Sequence, residues 1–355
     1  MRTALTIVLG AWLLLAGCAG KPTRPDWTAG SSARYPDTRF LVARGQGPSE
    51  SKAADRARAE LAKIFHVRIS DESVDTQTIV SRTERGKTQR EQRGKVTRTV
   101  VAGTDRILEG VEVKEFWLDS HTQVYYALAV LPRARATARL KQRMAHLDAA
   151  TRDYLAQVHT RKDVLLRLGA AERALMAQHE RQALQGSLGI VDPAGRGMAP
   201  RWGLSDLQRE FEKLLPQLQL VPEVQGDPIG GLATALSGAI AAAGFTLVQG
   251  AQADYVLAAT LQMDDLGERD GWLWLKGTLE IKLVEQTSAR VRGVQRWTVK
   301  VSAQQRRTAR RRAVDRVASI LKQELQSTIV GFGGGAGGRA SAQPWAGAGK
   351  SRLRG

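Results

Sequence analysis

The first eighteen residues constrain this chain most. Arg2 gives a short charged start, Ala4 to Ala16 form an apolar run, and Leu15-Ala16-Gly17 lead to Cys18, the only cysteine in 355 residues. The run is about 13 residues long, where a membrane-spanning helix needs roughly 20. A charged start, a short apolar stretch and small residues before a cut site are the parts of a secretion signal. Cleavage between Gly17 and Cys18 is therefore expected, with Cys18 as the new N-terminus. An unpaired thiol in an oxidising compartment is unusual in a secreted protein, so the sulfur of Cys18 is expected to carry a modification.

Leu15-Ala16-Gly17-Cys18 resembles the lipobox of bacterial lipoproteins. The resemblance implies a diacylglyceryl group on the sulfur and an acyl chain on the amine, making Cys18 the lipidation site and the lipid the membrane anchor. Ala19, not Asp, follows. Under the sorting rule of such lipoproteins this implies the outer membrane, with the chain facing the periplasm. A lipidated Cys18 leaves no thiol for disulfides, thiolate metal sites or cysteine catalysis.

Lysine and arginine number 53 against 35 acidic residues, a formal net charge of +18. In a cytosolic protein that would suggest nucleic acid. Export removes nucleic acid as a partner and points instead to anionic envelope polymers: lipopolysaccharide phosphates, phospholipid headgroups, and teichoic-type or peptidoglycan carboxylates. Charge spread over solvated helix faces is the plainer account. Apolar residues make up 43% and aromatics 5%, so Leu/Val/Ala-rich cores are expected.

The expected fold class is α+β: two small α/β sandwich domains joined by a long helical segment, after a cleaved lipoprotein signal. Residues 18–34, with Pro22 and Pro25, read as an extended lipidated tether. The first domain spans 35–135. Phe40-Leu41-Val42-Ala43 is a strand, Gly45-Gln46-Gly47-Pro48 a turn, and Ser49 an N-cap. A helix follows with Ala53, Ala57, Leu61 and Ile64 on one face, and Phe65, Val67 and Ile69 begin a strand. Thr76 to Val101 is polar, a solvated hairpin or a mobile arm. Alternation from Ile107 and Glu109 to Trp117 gives a strand, and Val124 to Leu131 a buried one ended by Pro132. In the helical connector at 136–185, Leu140, Met144, Leu147, Thr151, Tyr154 and Val158 form a heptad-like stripe. One bent helix or a two-helix hairpin fits, and the stripe either packs on a neighbouring domain or makes a homo-oligomer. Gly169 interrupts the helical pattern. A linker at 186–203 leads to a second α/β domain at 204–330, with a final helix from Ala303 to Ile329. Residues 331–355 read as a disordered Gly-rich tail.

Tyr35-Pro36, Phe40 to Gly47, the alanine-rich helix from Ala53 to Ala59, Phe65-His66-Val67, Trp117, and Tyr126 to Leu131 with Arg133 occur together in one order. In that order they resemble the Lpp-twenty-like lipoprotein domain, to which flagellar lipoproteins such as FlgP are related. The resemblance implies a non-catalytic assembly or scaffold domain on the envelope, and brings no catalytic residues. The second domain, through Ala253-Asp254-Tyr255-Val256-Leu257 and the paired strands after it, is similar to periplasmic domains of CsgG, of the TolB N-terminal part, and of peptidoglycan-synthase activator lipoproteins. These too are scaffolds and activators.

Chemistry is sparse elsewhere. His66, His121, His146, His159 and His179 show no metal spacing. No Gly-x-Ser-x-Gly elbow occurs. Gly45-Gln46-Gly47 has Glu50 where a dinucleotide fingerprint needs its third glycine, and Gly349-Lys350-Ser351 has Pro344 where a phosphate loop needs its first. Asp264, Asp265, Glu268 and Asp270 miss the calcium-loop spacing and read as a solvated hairpin tip. No catalytic, cofactor or metal site is expected. The densest basic run is Arg306, Arg307, Arg310, Arg311, Arg312 and Arg316, of which the first five are candidate contacts to a polyanion. Two functions follow as expectations. One is an anchored structural or assembly factor, for which the resemblance implies the flagellum as one setting. The other is a lipoprotein that binds peptidoglycan or activates a cell-wall synthase. Envelope proteins or peptidoglycan are the expected partners.

Overall fold

The structure is a computed structural model. It describes residues 24–30, 32–80, 110–192, 194 and 197–334, and along 66–80 the helical backbone alone. Gly17, Cys18, residues 81–109 and the tail from 335 lie outside the described residues, as do the expectations that fall on them. The chain is mixed α+β and divides into two compact units.

The first unit draws on residues 24–75, 110–140 and 186–197. Its sheet holds β1 (Phe40–Gly47), β2 (Glu112–Asp119) and β3 (Val124–Pro132), antiparallel in the order β1-β3-β2. Alternation along the strands separates two faces. One face carries Leu128 and Val130, with Phe40, Val42, Trp117 and Tyr126 beside them. Trp27 is buried against this face. The expected tether therefore ends before residue 34: Asp26–Ala29 forms a 3₁₀ turn, and the Arg44 guanidinium donates to the Thr28 carbonyl.

The other face receives α1 (Glu50–Val80). Ser49 caps it, its Oγ accepting from Lys52 N–H at 3.3 Å. Gly45 and Gly47 do not form the expected turn; both are strand residues paired with Ala127 and Tyr125. Their lack of a Cβ lets the helix lie directly on the strand. A Cβ on Gly45 would stand 2.2 Å from both the Ala53 carbonyl oxygen and the Ala57 nitrogen. Ala53, Ala57, Leu61 and Phe65 are fully buried. Phe65 is thus the fourth member of an every-fourth-residue stripe, and Ile64 is exposed. The expected strand at 65–69 is helix. Its β-branched and aromatic residues favour a strand, but no Gly or Pro stands between residues 50 and 80 to stop a helix already capped and packed.

The α2 helix (Arg133–Thr160) and α3 (Val164–Val191) form two antiparallel helices rather than one bent one. Arg133 closes the end of α3, donating to the Ile190 and Val191 carbonyls at 2.8 and 3.2 Å, and also to the Asp37 carbonyl. The stripe Leu140, Met144, Leu147, Thr151 and Val158 is buried within the chain, and Tyr154 half-buried. The buried Arg181 guanidinium pairs with Asp148 at 2.8 Å and donates to the Met198 and Ala199 carbonyls. Gln178 bridges Asp148 and Thr151. Of the two uses expected for this stripe, packing within the chain and self-association, the structure shows the first.

Residues 141–185 belong to the second unit, together with 76–80 and 198–334. After α4 (Leu204–Leu214) come β4 (Gln219–Gly226), α5 (Leu232–Ala242), β5 (Thr246–Leu247), β6 (Tyr255–Arg269), β7 (Trp272–Glu285), β8 (Val291–Ala303) and α6 (Arg306–Gly333). The sheet order is β5-β4-β6-β7-β8; β5, β4 and β6 are parallel, and β6, β7 and β8 antiparallel. One sheet face takes α5 and α6, with Leu257, Leu261, Leu279, Ile281, Leu283 and Val299 inward. The helix α6 runs through Gly331–Gly333, past the expected start of the tail, because its end packs on α3. Gly169, an interruption in the pattern, is the crossing point. A Cβ there would meet Gly333 at 2.4 Å, and a Cβ on Gly333 would meet the Leu165 carbonyl oxygen at 2.0 Å.

These contacts predict opposite effects from one chemical change. Gly45→Ala and Gly333→Ala should each cost about 1–3 kcal/mol through overpacking. Gly238→Ala, in α5 with open space around it, should be neutral or stabilise by up to about 1 kcal/mol. Denaturant midpoints measure all three.

Burial holds His179 on α3 below its ordinary pKa. As pH falls through about 6.5, the unfolded chain takes up a proton that the folded one resists. Stability should therefore decline from that pH downward, and His179→Gln should flatten the slope between about pH 6.5 and 5 in urea titrations.

Candidate polyanion interface

The α6 helix exists because Ala309, Ala313, Val317, Ile320, Leu321 and Leu325 recur at helical spacing and are all buried. That stripe leaves Arg306, Arg307, Arg310, Arg311, Arg312 and Arg316 on the remaining surface, and all six are exposed. The structure divides them by what they touch. Arg306 pairs with Asp265 near the β6–β7 tip at 2.8 Å, and Arg312 donates to the Ser302 carbonyl at 2.5 Å. These two tie the start of α6 to the sheet. Arg307, Arg310, Arg311 and Arg316 have no polar partner among the described residues. At 100° per residue, Arg307 and Arg311 share one flank, while Arg310 stands over Arg306. The candidate set thus reduces to Arg307, Arg310 and Arg311, with Arg316 a further turn along.

The helix begins without electrostatic help. Gln305 at the N-cap makes no side-chain hydrogen bond, and the first turn holds no acid. Cations at a helix N-terminus oppose the macrodipole by about 0.3–1 kcal/mol each.

The open face of the sheet adds residues that the sequence reading missed. Lys276 stands directly opposite Lys300, a like-charge pairing that destabilises a sheet. Lys300 Nζ lies 5.0 Å from the Trp274 ring centre. By contrast, Lys282 and Arg296 both engage Glu280 and hold its carboxyl below the usual range. The signal for Lys276 and Lys300 was present as alternation along β7 and β8, but their pairing depends on a register that only the folded sheet sets.

The acidic cluster is a hairpin tip, as expected. Asp270 and Gly271 both have positive φ, 51° and 75°, the conformation of a two-residue Asp-Gly hairpin turn. Asp265 is engaged by Arg306 and by Gly267 N–H. Among the described residues no group of three His, Cys, Asp or Glu side chains could hold a metal ion, and no helix is long and apolar enough to cross a membrane.

Residues 25–132 match the family model described as LPP20 lipoprotein. No curated protein matches the chain. Among solved structures, the secreted protein HP1454 of Helicobacter pylori is similar at 14% identity over 80% of this chain and 97% of its own, with a TM-score of 0.40. A minor lipoprotein of Acinetobacter baumannii is similar at 19% identity over 31% of this chain and 91% of its own, with a TM-score of 0.26. The family match supports a lipoprotein of the cell envelope.

If the arginines serve something other than folding, their replacement should not harm the fold. Arg307→Glu places an acid in the first turn of α6 and should leave stability unchanged or raise it by about 0.3–1 kcal/mol, read as a thermal midpoint that holds or rises.

Proposed function

We propose that this chain is a lipoprotein anchored in the outer membrane through Cys18, facing the periplasm, and acting as a non-enzymatic structural or assembly factor of the cell envelope. The flagellum is the first assembly to examine. The observation that carries the reading is the LPP20 lipoprotein match over residues 25–132, directly behind Leu15-Ala16-Gly17-Cys18. Physical chemistry supports the order of parts: a short apolar leader, a lipid-accepting cysteine, then a sheet whose packing begins at Trp27.

Metabolic labelling with palmitate should mark the wild-type chain and not Cys18→Ser, and the variant should leave the membrane fraction. An unlabelled wild-type chain would refute the anchor. Deletion should reduce motility or detergent resistance, and no change in either would refute the assembly role.

A second reading, a lipoprotein that binds peptidoglycan or activates a cell-wall synthase, is favoured by the unpartnered Arg307, Arg310 and Arg311. Carboxylates of the wall are suitable acceptors for guanidinium groups. Sedimentation with purified sacculi separates it from the first.

A further inference from the structure

The start of α6 and the tip of the β6–β7 hairpin form one end of the second unit. Arg306 reaches Asp265, and Ala309 is buried with Leu275 and Ala303, against which Met263 and Leu273 pack. Two large apolar side chains are exposed at the tip. Leu266 is 46% exposed and Trp272 39%. Leu266 stands clear of the sheet because the β6–β7 ladder skips from Asp265 to Glu268, a bulge that takes Leu266 and Gly267 out of register. Trp272 opens β7 opposite Arg269, immediately after the Asp-Gly turn.

Charge at this end is unbalanced. The segments 263–276 and 300–316 contain nine basic and five acidic side chains. One acid, Asp265, is already neutralised by Arg306. Arg307, Arg310 and Arg311 remain unpartnered and solvated. A protruding Leu and Trp at the same end of the unit as free guanidinium groups is a combination suited to a bilayer interface. There the aromatic ring sits at headgroup depth, and the cations meet lipid phosphates. A polysaccharide wall offers anions but no apolar layer for Leu266.

We propose that this end, through Leu266, Trp272, Arg307, Arg310 and Arg311, docks on a lipid bilayer bearing anionic phosphate headgroups. It would give the chain a membrane contact in addition to the lipid anchor. The proposal gives the polyanion reading of these arginines a specific acceptor, and its test does not depend on lipidation.

The full chain carrying Cys18→Ser, which holds no lipid, is sedimented with vesicles of phosphatidylcholine and with vesicles containing added phosphatidylglycerol. Binding is expected only to the second, and should weaken as salt rises. Each arginine near an anionic leaflet contributes about a factor of five, so R307E/R310E/R311E should reduce affinity at least tenfold. L266S/W272S should also reduce it while leaving the salt dependence intact. Thermal midpoints of all variants confirm folding. Equal binding by the triple-arginine variant, no preference for phosphatidylglycerol, or sedimentation with sacculi but not with vesicles would overturn the proposal. Failure of palmitate labelling would refute the anchor and leave this result standing.

Discussion

Asp163 holds together much of the second unit. Its carboxylate caps α3, accepting from the Leu165 and Leu166 N–H groups at 2.8 and 3.3 Å. The same oxygen accepts from the Tyr255 hydroxyl at 3.0 Å, and the other pairs with Arg292 at 3.0 Å. Arg292 in turn reaches Glu285 and lies over the Tyr255 ring. Burial, reinforced by the Asp163 charge, pushes the Tyr255 phenol well above its ordinary pKa, so it remains a donor. One side chain therefore ties the turn between two helices to the starts of β6 and β8. Capping alone contributes about 1 kcal/mol. The larger consequence is positional: Leu165, one residue into the capped helix, supplies the carbonyl against which Gly333 packs.

That arrangement explains which features of the fold could be read from the sequence. Elements whose cause is local were legible. The Ser49 cap, the strand at Val124–Pro132 and the final helix all follow from residue type and spacing. Elements decided by distant contacts were not. Phe65 lies among residues suited to a strand, and becomes helical because the alanine stripe ahead of it already packs on Gly45 and Gly47. Gly169 looked like a defect and is a contact. Trp27 stood between prolines, with nothing nearby to suggest that Leu128 and Val130 would cover it.

The candidate interface divides along the same line. The arginine run was visible as composition, and its exposure followed from Ala313 and Val317 turning inward. Which arginines are free was not visible, because the partner of Arg306 lies in another hairpin and that of Arg312 is a backbone carbonyl. Lys276 and Lys300 are similarly separated in sequence and brought together by the β7–β8 register.

Magnitudes show why α6 can carry such a sequence at its start. Each Val, Ile or Leu buried along it contributes about 1.5–3 kcal/mol, and Val317, Ile320, Leu321, Leu325, Ile329 and Val330 are all buried. An unfavourable charge at the N-terminus costs about 0.3–1 kcal/mol. Packing of the later turns therefore outweighs the electrostatic penalty of the early ones by a wide margin. The first turns are held by Ala309 and Ala313, small residues that bury little, together with the contacts of Arg306 and Arg312. Folding consequently imposes no requirement for arginine at 307, 310 or 311. A helix selected for stability alone would have acids there, which would suit the macrodipole and reduce the excess charge. Three free guanidinium groups at that end are tolerated by the fold and are not required by the packing that holds the helix.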